Sequence, residues 1–220
     1  MNSHAFTFCN VALQALPSGA LFWPDQGLLV VSDLHFGKSA RLSAVGGAQL
    51  PPYDTQATLE RLQADLDATR AARVICLGDS FDAAGIDSAL PETETLWIAQ
   101  MQAGRDWTWI EGSHDPGPVA IGGAHRADVT LGGLTFRHIA TSAVGEVSGH
   151  YHPKLRLNLK GRTLSRPCFL LDRARLILPA YGAYTGGLDC ARAPLRDMMG
   201  TDARAILTGT RATAVPLPRS

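Results

Sequence analysis

No apolar run in these 220 residues exceeds four or five, as in Leu28–Val31, whereas a membrane-spanning helix needs about twenty. The N-terminal Met1-Asn2-Ser3-His4-Ala5-Phe6 lacks a basic segment followed by an apolar one, so no secretory leader is expected. Cysteine is scarce: Cys9, Cys76, Cys168 and Cys190 are scattered without CxxC spacing, and Cys76 lies inside an apolar, strand-like run. That usage fits reduced thiols in a cytoplasm. There is no internal repeat and no low-complexity linker, and the length suits a single α/β domain over residues 1–220.

Net charge is absent as well, with 20 Lys/Arg against 20 Asp/Glu, yet the balance is uneven along the chain. Residues 1–150 carry 8 Lys/Arg against 16 Asp/Glu and residues 151–220 carry 12 against 4, formally −8 and +8. The basic excess is densest between Lys154 and Arg175, where it reads either as a solvated strand face or as a surface that tracks phosphates. The acidic excess is partly accounted for if Asp33, Asp79, Asp82 and Asp115 surround metal ions.

The order of elements predicts α/β layers. Leu28–Val31 is a short apolar strand of the kind buried on both faces. Pro51-Pro52 breaks the chain, and Asp54 or Thr55 then caps a helix that places Leu59, Leu62 and Leu66 on one face and runs to about Arg70. Val74–Leu77 is a second buried strand, Pro91 opens a second amphipathic helix through Met101, and Trp107–Ile110 is a third strand. Strand-helix-strand-helix-strand implies a parallel sheet with right-handed crossovers, whose ligands gather at the carboxyl ends of the strands. From about Val129 the texture changes to short strands and tight turns at Gly132-Gly133 and Lys160-Gly161, with Phe169–Leu171 pairing Leu176–Leu178, and this half reads as antiparallel. The tail after Gly200, with Pro216 and Pro218, reads as partly disordered.

Metal-ligand chemistry recurs five times in order: Asp33-Leu34-His35, Gly78-Asp79-Ser80-Phe81-Asp82, Gly112-Ser113-His114-Asp115, His138, and Gly149-His150-Tyr151-His152. Carboxylates and imidazoles bind hard and borderline divalent cations, and a pair of such ions activates water against phosphorus. In Asp33-x-His35 and His150-x-His152 the two side chains flank one intervening residue, so both can reach a metal from one loop. Asp79, directly after the second strand, is the natural bridging carboxylate. A lone histidine is more often a core or surface residue than a ligand, and only the series gives His138 its weight. His4 and His125 lack that context and read as surface residues.

Asp-x-His, Gly-Asp-x-x-Asp, Gly-x-His-Asp, a spaced His and Gly-His-x-His together resemble the calcineurin-like metallophosphoesterases. Asp33-Leu34-His35-Phe36-Gly37-Lys38, Leu77-Gly78-Asp79, Gly149-His150-Tyr151-His152-Pro153, Arg166-Pro167-Cys168-Phe169 and Leu178 to Gly187 are similar to one branch, the ligase-associated DNA damage response endonucleases (the PdeM family). The similarity runs from about residue 20 to 190. It implies a four-layer α/β sandwich, two central sheets flanked by helices. It implies one ion held by Asp33, His35, Asp79 and His152, and a second held by Asp79, His138, His150 and whatever Ser113 can offer. Mn²⁺ is the ion expected first, with Fe²⁺ or Zn²⁺ as alternatives. His114 would lie near the leaving oxygen and Asp82 would orient it. From position alone, Lys38 after the first metal loop reads either as a substrate-phosphate contact or as a surface lysine, and Arg166 before Pro167 is the basic residue to test first for substrate binding. The resemblance also implies a DNA ligase and a helicase as partners. Ser113 departs from the family pattern, which has Asn there, and a hydroxyl is a shorter and poorer neutral donor than an amide carbonyl.

These readings lead to a two-metal phosphodiesterase or endonuclease that hydrolyses nucleic-acid phosphodiester bonds, in DNA repair. A small-molecule phosphatase or nucleotide pyrophosphatase using the same metals is the alternative, because fold and ligands do not fix substrate. A non-catalytic DNA-binding scaffold is the third reading. Tyr181 and Tyr184 read as core residues, with stacking on bases as the sharper option.

Overall fold

Short apolar runs separated by turns build two sheets, and the computed structural model describes them over residues 2–44, 46, 51, 53–117, 120–159 and 162–217. The strands are β1 (His4–Phe8), β2 (Val11–Ala15), β3 (Leu21–Trp23), β4 (Leu28–Val31), β5 (Arg73–Cys76), β6 (Asp106–Ile110), β7 (Ala124–Arg126), β8 (Asp128–Leu131), β9 (Leu134–Arg137), β10 (Glu146–Ser148), β11 (Lys154–Leu159), β12 (Arg162–Leu171), β13 (Arg175–Ile177), β14 (Arg204–Leu207) and β15 (Thr213–Pro216). The helices are α1 (Lys38–Ala44), α2 (Asp54–Thr69), α3 (Ile86–Ala89), α4 (Glu92–Gln102) and α5 (Leu195–Met198). None of them is long and apolar enough to cross a membrane.

The first sheet runs β1 to β7 in chain order. Its strands β4 to β7 are parallel, as the alternation with α2 and α4 predicts, and β1 to β4 are antiparallel. The second sheet is ordered β15-β14-β12-β13-β10-β9-β8, with β11 paired to the outer half of β12. Strand periodicity decides where the core goes. Val30, Ile75 and Ile110 face inward to meet Phe136, Val147, Phe169, Leu176 and Ile206 of the other sheet. Leu29, Val31, Val74, Cys76, Trp107 and Trp109 face outward beneath Leu59, Leu62 and Leu66 of α2 and Ile98 and Met101 of α4. Each of those side chains contributes about 2 kcal/mol by leaving water. On the far side, Cys168, Leu170, Ile177 and Ala205 are covered by Leu195 of α5, with Met199 and Leu217. The result is the expected α/β sandwich, its outer layer on the second sheet reduced to one helical turn and loops.

Three local expectations meet a different outcome. The second half is not purely antiparallel, because β10 runs parallel to both β9 and β13. The tail forms β14 and β15, with Pro218 outside the described residues, and Pro216 is tolerated because β15 is an edge strand with no outer neighbour among the described residues. Asp54 does not cap α2. Its carboxylate instead accepts the Ser39 backbone N–H (3.0 Å) and the Ser39 hydroxyl, tying α2 to α1. The antiparallel strands β1 to β3 and the short α1, α3 and α5 carry no periodicity strong enough to predict them. The Gly132-Gly133 turn joins β8 to β9 as expected, and the Lys160-Gly161 turn lies outside the described residues.

Candidate metal centre

The parallel ladder does not stop at the ends of β4 and β5. Asp33 N–H bonds the Gly78 carbonyl, His35 N–H the Asp79 carbonyl, Phe36 N–H the Ser80 carbonyl and Asp82 N–H the Phe36 carbonyl, at 2.9–3.2 Å. The two loops thus travel together past the sheet edge. Asp115, delivered by the loop after β6, fixes them. Its carboxylate accepts the backbone N–H groups of Asp79 (2.9 Å), Ser80 (2.7 Å) and Phe81 (3.1 Å), so it anchors backbone instead of joining the ions. Burial, assisted by the Asp79 charge, pushes Asp115 up to about 6 against those three bonds.

From the second sheet, His138 follows β9, and His150 and His152 follow β10. The Gly149 N–H bonds the His138 carbonyl (3.0 Å) and the His150 N–H reaches the Asp33 carboxylate (3.0 and 3.2 Å). The site therefore straddles the seam between the sheets. Nine non-glycine residues among those described have positive φ, and five of them are Asp33, His35, Asp79, His150 and His152. Left-handed backbone is costly for such residues and collects where a site demands it.

Two ligand groups result, Asp33 with His35 and His152, and Asp79 with His138 and His150. In the first, His152 Nε2 lies 3.1 Å from Asp33 Oδ1 and 3.4 Å from His35 Nε2. In the second, His138 Nε2 lies 3.3 Å from Asp79 Oδ2 and 3.1 Å from His150 Nδ1. The outer ring nitrogens are already committed: His138 Nδ1 sits 2.7 Å from the Leu77 carbonyl, and His35 Nδ1 2.9 Å from Asp82 Oδ1. A ring that donates from Nδ1 presents an Nε2 lone pair, and here such lone pairs face other acceptors. That is a cation-binding arrangement, and two imidazoles with one carboxylate suit a borderline divalent ion.

Burial works to raise both carboxylates, but the bond and charge of His152 hold Asp33 below the usual range, and those of His138 hold Asp79 below it. Burial alone would lower His138, yet the Asp79 bond and the charges of Asp33 and Asp79 raise it. His150 is lowered by burial and by His138.

Ser113 joins the second group by donating its hydroxyl to Asp79, 3.1 and 3.2 Å from the two oxygens, and the His114 N–H adds a bond to Oδ1 (2.8 Å). The His114 ring is half-exposed at the rim, its Nε2 4.0 Å from Asp79 Oδ2.

The expected Asp82–His114 pairing is absent. The ladder that draws Asp82 onto Phe36 turns its carboxylate toward His35, Lys38 (3.8 Å) and Arg41. Asp82 therefore orients His35. Burial raises Asp82, and the His35 and Arg41 bonds bring it below its ordinary value. Lys38, expected at a substrate phosphate, lies with its Nζ 3.8 Å from the same carboxylate. Arg166 is exposed on β12 opposite Leu155 and is not among the residues the ligand groups bring together. Sequence reasoning missed Ser32, whose buried hydroxyl donates to Asp33 Oδ2 at 2.5 Å, and Arg41. Its spacing three residues after Lys38 on one helix was the available signal for Arg41.

No protein-family model and no curated protein sequence matches the chain. Among solved structures it is similar to the nuclease MPE of Pseudomonas putida, with a TM-score of 0.73 and 25% sequence identity over 97% of this chain and 100% of that one.

Proposed function

We propose that this chain is a two-metal phosphodiesterase that cleaves nucleic-acid strands internally, working in DNA repair in the cytoplasm. The observation that carries the reading is the pair of Asp/His groups, each with its donor atoms within 4.8 Å of one another and joined where the His150 N–H meets the Asp33 carboxylate, and the likeness to a nuclease supports the substrate class. Bound divalent ions, Mn²⁺ foremost, supply Lewis-acid neutralisation of phosphate charge and an acidified water.

The chain's own residues do the rest. Asp33, His35 and His152 would hold one ion and Asp79, His138 and His150 the other. Asp82 and the Leu77 carbonyl keep His35 and His138 in the tautomer that presents Nε2. His114 donates a proton from its imidazole to the leaving oxygen as the P–O bond breaks, a role its rim position supports.

The direct test measures hydrolysis of bis(p-nitrophenyl) phosphate, its monoester and DNA with Mn²⁺ and after chelation. The diester is expected to be hydrolysed faster than the monoester, DNA to be nicked, and both activities to vanish with chelator and return with Mn²⁺. Hydrolysis of nucleotide sugars or monoesters with no action on any polynucleotide would replace this reading with a small-molecule phosphatase. Metal-independent DNA binding without turnover would leave only a scaffold.

Ser113 tunes the second ion. Its hydroxyl is committed to Asp79, so it offers that ion little. Ser113→Asn is expected to tighten the weaker Mn²⁺ by about tenfold, the size of effect a neighbouring ligand has on a metal site. Calorimetric titration reads this directly, and an unchanged isotherm refutes it.

A further inference from the structure

We infer that the cleft beside the loop from Gly182 to Gly187 is a nucleobase subsite, with Tyr184 as the surface on which a base stacks. The inference rests on the nucleic-acid reading above and adds where the strand lies.

Of the nine non-glycine residues with positive φ, five are the candidate ligands, Cys9 and Asn10 form the turn between β1 and β2, and Arg70 ends α2 in the left-handed cap position. Tyr184, at φ +55, takes that conformation in the turn it forms with Ala183. What sets it apart is its exposure, 50% for a large aromatic ring.

Its loop is fastened to the metal centre at both ends. Gly182 N–H bonds the Asp33 carbonyl (3.1 Å), and a Cβ at Gly182 would lie 2.1 Å from the Leu34 carbonyl oxygen. Leu188 N–H bonds the His152 carbonyl (3.1 Å). Between these anchors, Lys154 Nζ holds the Thr185 carbonyl at 3.0 Å. Tyr184 thus projects from a braced loop whose two feet stand on the backbone of Asp33 and His152.

Beside it opens a cleft of about 450 Å³ lined by Tyr184, Thr185, Arg61, Pro167, Pro179 and Thr208 among others, within the size range of small-ligand sites. Arg61 brings a cation to this lining, its Nη1 fixed on the Tyr181 carbonyl at 2.6 Å. An exposed ring, a neighbouring guanidinium and a braced backbone are what a single strand meets on a stacking platform, where the base supplies a π-face and the backbone a charge. Tyr181, by contrast, is fully buried with its hydroxyl on Asp65 (2.8 Å), so it cannot take this role.

The test uses the full chain with Mn²⁺ and short single-stranded oligodeoxynucleotides, intact or carrying one abasic residue stepped along the strand. For wild type, one abasic position near the cut is expected to raise KM about tenfold over the intact strand, the cost of one lost stack. In Tyr184→Ala that ratio falls to about one, and Tyr184→Phe keeps it. Cleavage in which wild type and Tyr184→Ala show the same intact-to-abasic ratio at every position overturns the subsite while leaving the nuclease reading standing. If bis(p-nitrophenyl) phosphate is hydrolysed but no oligonucleotide is cut, the nucleic-acid reading itself fails and the subsite goes with it.

Discussion

Asp79→Asn is expected to lower phosphodiester hydrolysis on the order of a thousandfold, beyond the ten- to hundredfold that loss of an outer partner costs a metal site. A thousandfold corresponds to about 4 kcal/mol of transition-state stabilisation. The substitution separates charge from shape. An Asn side chain retains an oxygen that can accept the His114 N–H, which lies 2.8 Å from Asp79 Oδ1, and the Ser113 hydroxyl. The loop is independently held by three backbone N–H bonds to Asp115, so the fold should survive. What disappears is the negative charge that faces His138 and that burial alone would have suppressed. Rates with Mn²⁺, paired with an unfolding midpoint, check this. A folded Asp79→Asn variant with undiminished turnover would mean that the reaction is catalysed elsewhere.

The ligands are legible in the sequence for a local reason. Asp33, His35, Asp79, His150 and His152 each follow a short strand, and strand ends in such sheets are where side chains meet a ligand. The spacing that marks them is therefore within a few residues. Long-range contacts are the part that local spacing cannot encode. Asp82 turns to His35 and not to His114 because its backbone N–H is held by the Phe36 carbonyl, in a loop that Asp115, more than thirty residues later, pins just ahead of it. Pro216 reads as a disorder signal until β15 is known to be the sheet edge, where its missing N–H costs nothing. Tyr181 and Tyr184 share one motif, yet one is sealed under α2 and the other faces a cleft. Only the Gly182 backbone, pressed on the Leu34 carbonyl, decides which is which.

Gly149→Ala should do nearly as much harm as the loss of a ligand, although residue 149 ligates nothing. A Cβ there would fall 1.7 Å from Ser32 Oγ and 2.5 Å from Asp33 Oδ2. Ser32 and Asp33 are both fully buried, so neither can swing into solvent, and relief must come from moving the Asp33 carboxylate or the β10 loop. Either motion pulls Asp33 away from His152, now 3.1 Å distant, and from the His150 N–H. Overpacking of this kind costs about 3 kcal/mol of stability, and a displacement near 1 Å in a catalytic constellation costs on the order of a hundredfold in rate. The two losses can be told apart with a second substitution. Ser32→Gly on top of Gly149→Ala removes the hydroxyl clash and should recover part of the unfolding midpoint. It should not restore metal affinity or turnover, because the clash with Asp33 Oδ2 remains. Full recovery of turnover in the double variant would show that Ser32, and not the position of Asp33, had been the constraint.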